Sequence, residues 1–99
     1  MTVYKTRPGL VLTEIAGEYV LVAAKALHKI CPYVTQLNET SAFLWRKLEQ
    51  GAALEELERA IEEEYEIDDP AAARAAIESF VRQMREKNYL LTEETEEAK

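Results

Sequence analysis

The chain has 99 residues, 47% of them hydrophobic and 31% charged, and carries a net charge of −7. That size and balance fit one globular domain and exclude a disordered chain, which would hold far fewer apolar residues. A surface this acidic repels phosphate backbones, so nucleic acid is a poor partner unless basic groups gather on one face.

From the N-terminus, Met1 to Arg7 has no apolar signal core, and the longest apolar run, Tyr19 to Ala24, is too short to span a bilayer. The expected location is the cytoplasm, with no membrane partner. A lone Cys31 without an internal disulfide partner agrees with it. Arg7-Pro8-Gly9 reads as an irregular entry to a first strand over residues 10–15, rich in branched side chains and ended by the Ala16-Gly17 turn. A second strand over 18–24 follows at once, so the two form a hairpin. The link from Ala24 to Pro32 has a helical flavour but is short and is broken by Pro32. Tyr33, Val34, Thr35, Gln36 and Leu37 make a third strand. Its alternation puts Tyr33, Thr35 and Leu37 on one face and Val34 and Gln36 on the other.

Helices take the rest. Asn38 caps a first helix over 39–50, whose stripe of Ala42, Leu44, Trp45 and Leu48 stops at Gly51. A second helix over 53–65 buries Leu54, Leu57, Ala60 and Ile61 and turns its glutamates to water. Asp69-Pro70 opens a third over 70–87, with Ala73, Ile77, Phe80, Val81 and Met84 on one face. Tyr89-Leu90-Leu91 packs back, and residues 92–99 form an acidic, frayed tail. The expected fold is therefore α+β and winged-helix-like: a three-stranded antiparallel sheet followed by a three-helix bundle, in one domain over residues 1–91.

Charge is uneven along this order. Residues 52–66 hold seven Glu and one Arg, a balance of −6. The third helix and its exit hold Arg74, Arg82, Arg85 and Lys87 against Glu78 and Glu86, a balance of +2. One basic helix on an acidic domain suggests a partner with carboxylates.

Chemistry-bearing residues are few. His28 and Cys31 form an H-x-x-C pair, but zinc wants three or four protein ligands and no other His or Cys exists. No orienting third group makes Cys31 a nucleophile either, so incidental residues are the better reading. The glutamates of the second helix lack the Asp/Asn/Gly pattern of a calcium loop and read as a solvated face. Trp45 and Phe80 read as core. No metal, cofactor or catalytic set is expected, so an enzyme is disfavoured.

The pattern as a whole resembles the PqqD family of recognition elements for ribosomally made, modified peptides, named for the pyrroloquinoline quinone pathway. Arg7-Pro8-Gly9, Val20-Leu21-Val22, the run Leu37-Asn38-Glu39-Thr40-Ser41-Ala42-Phe43-Leu44-Trp45, Asp68-Asp69-Pro70 and Asn88-Tyr89-Leu90-Leu91 carry the resemblance, over roughly residues 7–91. It implies a protein that captures the leader of a precursor peptide and presents it to a modifying enzyme, often of the radical S-adenosylmethionine type. It also implies where: the leader adds as a strand to the third strand and lies beside the third helix. The stretch Ala24 to Pro32 is longer than the family's usual link between strands two and three.

The residues agree with that mode on their own account. The third strand has no charge and no Pro inside it, so nothing guards its edge against an extended peptide. On the third helix, Arg74, Glu78, Val81 and Arg85 form one line next to the core positions Ile77, Phe80 and Met84. That line is the expected second wall, an apolar spot at Val81 between two guanidinium groups. The expected peptide site is thus Tyr33, Val34, Thr35, Gln36 and Leu37 with Arg74, Ile77, Glu78, Val81 and Arg85. Rival readings are a homodimer joined by the same edge and a winged-helix DNA-binding regulator, which the charge disfavours.

Overall fold

The computed structural model describes residues 1–27, 29 and 34–94. Among them the order is β1 (Thr2–Thr6), β2 (Leu10–Ile15), β3 (Glu18–Ala23), a 3₁₀ turn (Lys25–Leu27), β4 (Val34–Leu37), α1 (Glu39–Leu48), α2 (Leu54–Glu64), α3 (Pro70–Glu86) and β5 (Leu90–Glu94). The expected antiparallel sheet is present as β2-β3-β4. Its hairpin closes between Ile15 and Glu18, with Ala16 and Gly17 both at positive φ, the conformation that type I′ turns require. Each of the three helices lies where its apolar period sets it, and ends differ by one or two residues.

A second, two-stranded sheet differs from expectation. β1 pairs antiparallel with β5 in the register Thr2↔Glu94 to Thr6↔Leu90. The stretch before Arg7-Pro8-Gly9 is therefore a strand, and Thr92 to Glu94, expected in the frayed tail, belong to a ladder; residues 95–99 lie outside the described set. Local composition argues against a strand at TEE, since Glu has low β-propensity. The partner strand nearly a whole chain length away overrides it. Tyr4 also exchanges two backbone hydrogen bonds with Ala52, at 2.8 and 2.9 Å, so β1 is held on both sides.

Caps fix the helix ends. Asn38 Oδ1 accepts from the Ser41 N–H at 2.7 Å and Asp69 Oδ1 from the Ala72 N–H at 3.2 Å, as N-caps do. α3 ends in a Schellman motif: the Tyr89 N–H donates to the Met84 carbonyl at 2.9 Å and the Asn88 N–H to the Arg85 carbonyl at 3.0 Å. Asn88 takes the left-handed position (φ 63°) that the motif needs. Arg7 then closes the junction, its Nε donating to the Asn88 carbonyl at 2.7 Å. The turn drives Tyr89 inward, where it is fully buried with Trp45, Leu21, Leu48 and Leu57. Trp45 and Phe80 lie in that core, as their periodicity predicts.

Candidate functional site

Hydrogen-bond phase decides what β4 offers to solvent. The Ala24 N–H donates to the Gly9 carbonyl at 2.8 Å, so 9 and 24 form a hydrogen-bonded pair. Such pairs alternate along an antiparallel ladder, so Glu18, Val20 and Val22 point their backbone groups at β2. Tyr19 and Leu21 must then point theirs at β4, toward Leu37 and Thr35. It follows that the N–H and C=O groups of Val34 and Gln36 face away from β3. No described residue pairs with that side of β4. The side chains alternate to match: Leu37 is buried and Thr35 half-buried, while Val34 and Gln36 are exposed.

Two links hold this edge in place. The Thr35 hydroxyl and the Tyr89 hydroxyl share a hydrogen bond of 2.7 Å, and the Tyr89 ring stands edge-on to Trp45 with centroids 6.1 Å apart. The strand is thereby tied to the exit of α3 and to the middle of α1. At its other end β4 runs into Asn38, whose side chain caps α1.

Asn38 also stands at the mouth of a groove of about 580 Å³. The buried Leu44, Ile61 and Ile77 line its depth, Tyr65 and Ile67 line it from the end of α2 and the loop beyond, and Ala76, Ser79, Phe80 and Gln83 line it from α3. Thr40 and Ser41 add hydroxyls at the rim. Its lining bears no charged side chain among the described residues. Such a trough, apolar inside with uncharged donors and acceptors around it, suits an apolar side chain on an extended backbone.

The expected site residues divide sharply over this geometry. Val34, Thr35, Gln36 and Leu37 form the open strand, and Ile77 lines the groove. Tyr33, like His28 and Cys31, lies outside the described residues. The line Arg74, Glu78, Val81 and Arg85 is turned elsewhere. Arg74 Nε is 3.0 Å from Glu58 of α2 and 3.7 Å from Glu78. The Arg85 guanidinium sits over the Tyr4 ring of β1, 5.8 Å from its centroid. Val81 is only 3% exposed, a core residue and not a surface anchor. The helix turns its other edge to the groove, because Ile77, Phe80 and Met84 must reach the core and the edges follow from that rotation. Ala76, Ser79 and Gln83 are the residues that charge-based reasoning passes over. Their signal is in the sequence: on their line next to the core, positions 72, 76, 79 and 83 are all uncharged. Among the described residues no group of three or more His, Cys, Asp or Glu is placed to hold a metal ion, and no helix is long and apolar enough to cross a membrane.

Comparison with known proteins adds three findings. The family model for coenzyme PQQ synthesis protein D (PqqD) matches residues 13–90. The solved lasso peptide synthetase B1, complexed with the leader peptide, is 22% identical, with a TM-score of 0.69 over 89% of this chain and 96% of that one. TbiB1, in complex with the TbiA(beta) leader peptide, is 26% identical, with a TM-score of 0.68 over 87% of this chain and 93% of that one. No curated protein matches the sequence significantly.

Proposed function

The chain belongs to the PqqD family, and on that premise we propose that it binds the leader segment of a ribosomally made precursor peptide and presents it to a separate modifying enzyme. The observation that carries this reading is the open edge of β4, with an uncharged groove at its end. An added strand has four backbone groups to pair with, the N–H and C=O of Val34 and of Gln36, in either strand direction. At about 0.5–1.5 kcal/mol net for each hydrogen bond, the edge supplies roughly 2–6 kcal/mol before any side chain contributes. The groove then takes an apolar side chain that points to the inner face. Both solved neighbours hold leader peptides, which supports the same reading.

The reading gives the chain no catalytic step. The resemblance to the family favours a radical S-adenosylmethionine enzyme as partner, and the likeness to lasso peptide synthetase B1 makes a lasso peptide synthetase the other class to test. The place of action is the cytoplasm, where precursor and enzyme are made.

Titration of isotopically labelled protein with synthetic N-terminal segments of the short peptides encoded beside its gene tests the proposal. Amide shifts should move at residues 34–37 and at Ala76, Phe80 and Gln83. Gln36→Pro, which removes an outward donor, should weaken binding about tenfold while the helices stay folded. Thr35→Pro should damage the sheet itself, since that N–H serves β3. Shifts confined to α2, or mass that doubles with concentration through the same edge, would replace the proposal with another surface or with a homodimer.

A further inference from the structure

The outer face of the three-stranded sheet carries a row of apolar side chains. Val11 stands opposite Val22, and Val22 opposite Val34, so one valine from each strand lies in line across the sheet. Val11 is 59% exposed and Val34 is 50% exposed, whereas the opposite face of the same strands buries Leu10, Leu21 and Leu37. The neighbouring row, Thr13–Val20–Gln36, ends in an amide whose Nε2 donates to Glu18 at 2.7 Å. An isolated exposed valine needs no explanation, but an apolar row that ends at an open strand edge differs.

We propose that these two rows read the outward side chains of the bound peptide: the position beside Val34 takes an apolar residue and the position beside Gln36 takes a polar one. The inference rests on strand addition at β4. A strand added there must alternate its side chains between the two faces, whichever way it runs. Residues that face the groove are then interleaved with residues that face outward. The outward residue opposite Val34 lies at the distance of an ordinary cross-strand pair, about 5.5 Å between Cα atoms, and extends the row to a fourth member. Two residues along, the outward side chain meets the Gln36 amide and the Glu18 carboxylate behind it, where an apolar group gains nothing. The peptide is therefore selected on both faces, by the groove at inward positions and by the valine row at an outward one.

A displayed library of random peptides, selected in parallel on the wild-type protein, on Val34→Glu and on Val11→Glu, tests this. The wild type should enrich an apolar residue at one outward position, flanked by the inward positions that fill the groove. Val34→Glu should enrich Lys or Arg at that same position and leave the groove positions unchanged. Val11→Glu, two strands from the edge, should select as the wild type does. A peptide taken from the wild-type selection should bind Val34→Glu about two- to fivefold more weakly, and Lys at the outward position should restore it. Both exposed sites tolerate the change, and unaltered helicity and melting confirm folding. Identical peptides from the wild type and Val34→Glu, with amide shifts still centred on residues 34–37, would overturn the valine row and leave peptide capture standing. Selected peptides that shift no β4 amide would overturn both.

Discussion

The two long edges of α3 have opposite chemistry and opposite partners. One edge carries Arg74, Glu78 and Arg85, and those side chains are spent within the molecule, on Glu58 and on the Tyr4 ring. The other carries Ala76, Ser79 and Gln83 beside the buried Phe80, and it walls the groove. On these two edges the Arg74 and Arg85 charges meet the helix's own domain, and the uncharged Ala76, Ser79 and Gln83 line the groove. The lesson is physical as well as local: a buried interface with a peptide must strip water from whatever lines it, and small uncharged side chains lose least.

The largest expected effect comes from exchanging the character of the edges. Ala76→Arg puts a cation at the groove wall and should weaken binding of a groove-filling peptide about tenfold, equivalent to about 1.4 kcal/mol. Ala76 is exposed and Arg is a good helix former, so melting should hardly change. Arg85→Glu should do the reverse. It removes a cation from the Tyr4 ring, costs under about 1 kcal/mol of stability and leaves peptide affinity within about twofold. Fluorescence anisotropy and thermal melts on the two variants check both halves.

Much of this architecture was legible in the sequence, and the limits have physical causes. The hairpin, β4 and the helices follow from periods of two and 3.6 that each segment carries by itself, and Asn38 and Asp69 announce the helix starts. The alternation of β4, with Thr35 and Leu37 inward and Val34 and Gln36 outward, was legible for the same reason. The sheet of β1 and β5 was not. Neither Thr2–Thr6 nor Leu90–Glu94 makes a stable strand alone, and the pairing closes nearly the whole chain. The groove edge of α3 was also hidden, because helical periodicity fixes which face is buried but not which neighbour stands at either side of it. The phase of the open backbone groups on β4 came only with the ladder, through Gly9 and Ala24.

A smaller effect is expected where β4 is tied to the open side. Tyr89→Phe removes the hydroxyl that meets Thr35 and keeps the ring against Trp45. The loss should be about 1 kcal/mol of stability, the worth of one part-buried hydrogen bond. Amide exchange at Thr35 and Leu37 should quicken before that of α1. Peptide affinity should fall less than in Ala76→Arg, since the groove lining is intact. If Tyr89→Phe equals or exceeds Ala76→Arg, the position of the strand matters more to binding than the wall of the groove.

The smallest effect should come from the paired edge. Arg74 is more than half exposed, so its 3.0 Å contact is open to solvent on the guanidinium side, although the Glu58 Oε1 that it meets is shut off from water. Pairs of this kind contribute about 0.2–1 kcal/mol at best, and solvent screening puts Arg74→Ala near the low end of that range. The variant does leave Glu58 and Glu78 without their shared cation on a domain of net charge −7, which raises the cost slightly at low salt. At 1 M salt the screening length shrinks to about 3 Å, and the stabilities of variant and wild type should converge. Peptide affinity should not change at either salt concentration, because this edge faces α2 and not the groove. A loss of more than about threefold in binding by Arg74→Ala, with stability intact, would mean that the charged edge takes part in recognition and that the groove has been assigned to the wrong side of the helix.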